Sequence, residues 1–190
     1  YDGEYEMDIV PYGDIEREGG YIYWPPEEDI AMSVKGFADV LSDAITVTID
    51  NEFDIKIASL HGLFVLKFNA WLDRNIQTNK DAVDMAFILE NYFIANLNRN
   101  LHAEVYDWED FDEIVVGAYW LAYDIVGFLS KEHLFHYEQC LRNEIEKREN
   151  SRLIQQVIDS SSVFSYEKLL LAFQKMIAVF DKVLHGEDSD

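Results

Sequence analysis

The sequence predicts an α+β protein: a small mixed sheet at the N-terminal end followed by a mainly helical C-terminal part. Three observations carry that expectation. Short runs of alternating apolar and polar side chains, broken by Gly and Pro, occupy residues 1–58. From Ser59 onward apolar residues recur at helical spacing, and no Pro occurs after Pro26. Hydrophobic residues at 49% and aromatics at 14% of 190 residues give ample material for a buried core. The expected division is a sheet-bearing part over 1–58 and a helical domain over 59–190.

Taken in order, Tyr5 to Val10 alternates as a half-buried strand, with Glu6 and Asp8 on one face and Tyr5, Met7 and Ile9 on the other. A strand so close to the start of the sequence reads as one that begins inside a sheet, because strands need partners. Tyr21 to Trp24 is a second strand, stopped by Pro25 and Pro26. Val34, Phe37, Val40 and Leu41 give Met32 to Asp43 helical spacing. Ile45 to Ile49 and Phe53 to Ile57 complete the strands. Helices are expected over about 59–74, 80–97, 109–129, 131–149, 151–160 and 165–185, with Asn79 and Asp107 as N-caps. Ser160 to Ser162 reads as a linker.

Composition excludes several classes. A single Cys, Cys140, cannot form an intramolecular disulfide, so a reducing, cytoplasmic setting is expected. The longest apolar stretch, Ile114 to Leu129, contains Asp124 and is too short to span a membrane, and no signal peptide is read. The formal charge of −22 opposes a broad nucleic-acid surface or an anionic membrane. Acidity is concentrated at the front: Tyr1 to Asp54 holds 15 acids and 2 bases, net −13, whereas Ile55 to Asp190 holds 22 and 13, net −9.

Lys67 and Arg74 are the most informative residues. On a helix, Leu60, Leu63, Phe64, Ala70 and Trp71 fall within roughly 60° of Lys67, and Arg74 about 20° from it. Two cations in an apolar stripe require carboxylates or a bound anion, unless they snorkel to an edge. On the next helix Asp81 lies in the first turn. Asp84 shares a face with Phe87, Ile88 and Tyr92, which points it into packed surroundings where it needs a donor. Two readings fit: a clamp between helices, or a basic pair for phosphates beside a carboxylate that takes a proton or orients a hydroxyl. Glu6 and Asp8, two same-face carboxylates, form a half-site suited to Mg²⁺ or a solvated strand face.

The segments Met7 to Gly13, Trp24 to Pro26, Met32 to Phe37, Leu66 to Arg74 and Lys80 to Asp84, in that order, resemble the bacterial proteins related to abortive-infection (type IV toxin) nucleotidyltransferases. The resemblance covers about Glu4 to Tyr92. It implies a sheet of the nucleotidyltransferase type, Asp8 as the third family carboxylate, Lys67 and Arg74 in the third motif, and Asp81 and Asp84 in the fourth. It further implies Mg²⁺ on Asp8 and Glu6, catalysis by Asp8, Lys67 and Asp84, and NTP binding by Lys67, Arg74 and Asp81. The partners it implies are an NTP and a cognate antitoxin or other protein. No Gly-Ser turn followed by Asp-x-Asp occurs, so these 190 residues alone are expected to lack transfer activity. The alternative is a non-catalytic module that keeps the fold and binds a basic protein.

Other candidates are weaker. His133 and His136 read as a solvated face with Glu132 and Glu138. Asp107 to Glu113 fails as a calcium loop because Asp112 stands where Gly is needed.

Overall fold

The computed structural model describes residues 9–24, 26, 31–99, 102–109 and 111–186. In chain order these form β1 (Tyr21–Tyr23), β2 (Ala31–Ser33), α1 (Phe37–Ser42), β3 (Ile45–Ile49), β4 (Phe53–Ile57), α2 (Leu60–Arg74), α3 (Lys80–Ala95), α4 (Glu113–Val126), α5 (Lys131–Glu146), α6 (Arg152–Ser160) and α7 (Tyr166–His185). The α+β class is as expected. The strands pair as two separate antiparallel hairpins, β1 with β2 and β3 with β4. Most of the strand read over Tyr5 to Val10, with Glu6 and Asp8, lies outside the described residues.

Helix starts follow local chemistry. Ser59, Ser130, Ser151 and Ser165 each accept a backbone N–H from three residues ahead, answering one of the orphan donors of a first turn. Two expected caps are corrected. Asn79 makes no side-chain cap, and Thr78 Oγ1 accepts the Lys80 N–H instead at 3.2 Å. Asp112 rather than Asp107 caps α4, accepting from the Ile114 and Val115 N–H groups at 2.9 and 3.3 Å. Asp107 instead ends a 3₁₀ turn, Ala103–Asp107, and Asp112 stands in extended backbone just before the apolar run.

The helix expected over Met32 to Asp43 is two elements. Met32 belongs to β2, which pairs with Ile22, and the chain turns at Gly36, whose φ of 82° suits glycine and starts α1. Periodicity alone could not show that a strand partner waits ten residues upstream.

Helix α4 is the centre of the core. Its residues Ile114 to Ala122 are all buried, enclosed chiefly by α3 and α7. An apolar helix without a polar face can be satisfied only in this position. Trp120 stacks on Phe93 of α3 with ring centroids 5.1 Å apart. Gly117 lets the two helices approach: a Cβ there would lie 3.0 Å from the Phe93 backbone nitrogen. None of the described helices is long and apolar enough to cross a membrane.

A polar chain threads the N-terminal end of this bundle. Asp43 Oδ2 accepts from Ser59 Oγ at 2.7 Å and meets His61 Nε2 at 2.6 Å. His61 Nδ1 lies 3.2 Å from the Tyr92 hydroxyl, which donates to Asp124, and Arg99 clasps Asp124 through two bonds of 2.6 Å. Burial pushes Asp124 upward, but the Arg99 and Tyr92 donors and the charges of Arg99 and His61 outweigh it and hold the carboxyl below its ordinary 3.8.

Two predictions follow from the packing and this network. Gly117→Ala gains helix propensity of about 1 kcal/mol but presses on backbone that cannot yield, so a net loss of ~1–2 kcal/mol is expected from urea midpoints at unchanged slope. A carboxyl with a depressed folded pKa stabilises above its unfolded pKa and loses that contribution as pH falls through the folded one. Acid unfolding below about pH 4 should therefore be shallower in Asp124→Asn, with lower stability at pH 7. An equal loss of stability between pH 5 and pH 3 in the parent chain and in Asp124→Asn, read from urea midpoints, would refute the assignment.

Candidate functional site

Helices α2 and α3 are antiparallel neighbours joined by a short turn, so the end of one faces the start of the other. At that junction Arg74 Nε and Nη2 donate to Asp81 Oδ2 and Oδ1, each at 2.7 Å. The Asp81 side chain is 1% exposed. A carboxylate so deep is tolerable only when a donor meets each oxygen, and the planar guanidinium does so in one contact. Further along, Lys67 Nζ meets Asp84 Oδ2 at 2.6 Å.

The roles of the two aspartates are the reverse of those expected. Asp84 is 48% exposed, and Asp81 is the buried one. Buried positions 81, 82, 85, 88, 89 and 92 set the face of α3 that meets the core, and this face includes Asp81 and leaves Asp84 at its margin. Because α3 is apolar nearly all round, its sequence does not disclose the phase. Lys67 and Arg74 likewise sit at the edge of the α2 stripe, whose centre is Phe64, Val65, Phe68 and Trp71. Both cations snorkel to that edge.

Four residues missed in the sequence complete the site: Tyr21, Ser33, Asn69 and Asp73. The β1–β2 hairpin packs on α2, where buried Asn69 donates through Nδ2 to Ser33 Oγ at 2.9 Å. Asp73, one turn on from Asn69, faces the Ser33 backbone N–H and the Tyr21 hydroxyl, both of which favour its charged form. Partial burial raises the Asp73 carboxyl, opposed by the Ser33 N–H, Lys35, Arg74 and Tyr21. The spacing of Asn69 and Asp73, polar residues four apart on a largely apolar helix, was the signal available.

Between hairpin and helix lies a cleft of about 450 Å³ lined by Trp24, Met32, Ala70, Asp73, Arg74 and Gln77. It combines an indole and a thioether with a guanidinium, a carboxylate and an amide, a mixture suited to an aromatic ligand that carries charge. Trp71 anchors α2 from behind through Nε1 to Gln156 Oε1 at 2.7 Å.

Glu6 and Asp8, the expected metal carboxylates, lie outside the described residues. Among the described residues no group of three or more His, Cys, Asp or Glu is placed to hold a metal. His133 and His136 do not form one. His133 Nδ1 pairs with Asp39 of α1, and His136 is half-buried. Glu138, expected on a solvated face, is buried and bonded to Arg142 Nε at 2.6 Å.

The two helix-to-helix pairs should separate in stability measurements. Arg74→Ala strands a buried carboxylate and is expected to cost ~2–4 kcal/mol. Lys67→Ala breaks a largely exposed pair and is expected to cost under about 1 kcal/mol. Urea denaturation of both variants at pH 7 reads the difference, and equal losses would overturn this ordering.

A family model described as nucleotidyl transferase AbiEii toxin, type IV toxin–antitoxin system, matches residues 17–178. No curated protein and no solved structure matches the chain. The match spans both hairpins and helices α1 to α6 entire, together with most of α7, and takes in Lys67, Arg74, Asp81 and Asp84. The chain therefore belongs to the AbiEii family of nucleotidyl transferase toxins of type IV toxin–antitoxin systems.

Proposed function

We propose that this chain provides the phosphate-holding side of a nucleotidyl transfer centre, in which an acceptor is joined to a nucleotide drawn from an NTP. The observation that carries the reading is the contrast between the two ion pairs. Arg74 is locked on buried Asp81, so it is a fixed edge of the cleft. Lys67 sits on a half-exposed carboxylate, and an exposed pair of this kind is worth under about 1 kcal/mol. A triphosphate, with several negative charges, competes readily for that ammonium.

The residues then take complementary parts. Lys67 leaves Asp84 for the phosphates and offsets their charge as it builds during transfer. Asp84, freed of its partner, accepts the proton of the acceptor hydroxyl or orients it. The acceptor oxygen bonds to the α-phosphorus while the bond from that phosphorus to the bridging oxygen breaks, and pyrophosphate leaves. Trp24 and Met32 offer apolar surface for a base, with Gln77 and Asp73 beside them for polar edges. We keep the boundary at 58/59, with the sheet-bearing part lending Trp24 and Met32 and the helical part Lys67, Arg74, Asp81 and Asp84.

Nucleotidyltransferases generally use a divalent metal. Glu6 and Asp8 are the residues proposed to bind Mg²⁺. The described residues do not assemble a metal site, and no step here is assigned to one. The family also suggests an antitoxin as partner.

Binding of an NTP with Mg²⁺, measured by calorimetry, tests the reading. Lys67→Ala is expected to weaken binding about tenfold with little change in melting temperature, and Asp84→Asn to retain binding. A chain that binds no NTP, or binds it equally after Lys67→Ala, would leave the Lys67–Asp84 pair as a clamp between helices. The interaction-module reading would then stand.

A further inference from the structure

The β3–β4 hairpin presents an uncovered face that the transfer reading does not use. Register pairs Ile45 with Ile57, Val47 with Ile55 and Ile49 with Phe53. Side chains alternate across a strand, so these six share one face and every one is apolar. The opposite face carries Thr46, Thr48, Asp54 and Lys56, with Thr48 Oγ1 donating to Asp54 Oδ1 at 2.6 Å. Such alternation is the mark of a sheet with one face meant for a dry contact.

That contact is missing among the described residues. Ile45 is 56% exposed and Phe53 55%, with Ile55 and Ile57 also exposed. Neither strand packs substantially on any helix. Among the described residues both strands are edges, since this sheet has two described strands. A two-stranded ribbon is marginal in water, and an element packed over its apolar face is one usual remedy. Clustered apolar side chains of this size on a free edge mark an interaction surface.

We propose that this face is a docking surface for a strand-forming segment of a basic protein. Charge selects the occupant. The hairpin tip carries Asp50 and Glu52, Asp54 follows, and Asp43 precedes it, against Lys56 as the one base between 43 and 57. A second copy of the chain would bring matching acidic tips together at −22 per molecule. A segment alternating apolar residues with Lys or Arg meets both features: its apolar side covers Val47, Ile55 and their neighbours, and its cations reach the acidic tip. The surface is separate from the Arg74 cleft and from the Lys67–Asp84 pair, so this inference stands or falls independently of nucleotide binding.

The test uses the 190-residue chain with a synthetic peptide of alternating valine and lysine, and a control peptide of the same composition in scrambled order. The alternating peptide should bind about tenfold more tightly than the control and slow hydrogen exchange at the amides of residues 45–57. Ile55→Thr with Ile57→Thr keeps β-branching and should reduce affinity about tenfold. Asp50→Asn with Glu52→Gln, at the solvated tip, should weaken binding several-fold and reduce its salt dependence, which keeps the test decisive if the threonine variant unfolds. Equal affinity for both peptides, or protection elsewhere in the chain, would overturn the proposal. Self-association in sedimentation that the threonine variant abolishes would also overturn it, in favour of a second copy as occupant.

Discussion

Fifteen basic side chains serve thirty-seven acidic ones in this chain, and that imbalance governs the rest of the structure. Acids left in water cost little, but an acid in the core must be met by donors. Asp81, Glu138 and Glu144 are buried, and each takes a cation: Arg74, Arg142 and Lys147 respectively. Glu144 takes Ser151 Oγ as well, at 2.7 Å, and so ties the end of α5 to the start of α6. Arg74 links α2 to α3, and Arg142, besides its pair within α5, reaches Asp181 of α7. Arg74 with Asp81 is the joint that sets α2 against α3, and the cleft under the first hairpin inherits its position from it.

Geometry then separates cations by how firmly they are held. A guanidinium clasped at both nitrogens on a buried carboxylate is part of the scaffold. An ammonium on a half-exposed carboxylate is not, because solvent screens the attraction and the long side chain gains freedom on release. Along one face of α2 the chain therefore offers a fixed charge and a movable one. Sequence spacing alone treats Lys67 and Arg74 as equivalent; burial of their partners distinguishes them.

Much of the helical part was legible before any coordinates. Long 3.6-residue periodicity placed α2, α3 and α5 to α7 within a few residues, whereas the two caps read from the sequence, Asn79 and Asp107, gave way to Thr78 and Asp112. What could not be read depended on distant partners. Met32 is a strand residue because Ile22 pairs with it. The phase of α3, and so the exchange of roles between Asp81 and Asp84, is decided by which side meets α2 and α4, and a helix apolar nearly all round carries little record of that choice. Asp73 was invisible as a site residue because the groups that favour its charge, Ser33 and Tyr21, arrive from a hairpin some forty to fifty residues earlier. Local rules found the elements, while the candidate site required their assembly.

The same imbalance bears on what the protein can meet. A field of this sign repels polyanions from most of the surface, so a triphosphate is admitted only where cations are concentrated and a competing carboxylate can be set aside. Cationic proteins experience the opposite force, and they are drawn most strongly where acids border apolar surface that remains uncovered. On the two proposed readings, Lys67 with the neighbouring Arg74 cleft and the face of the second hairpin answer to those two conditions separately. The two proposals thus set a nucleotide where cations gather and a basic partner where acids border apolar surface, at separate parts of one acidic chain.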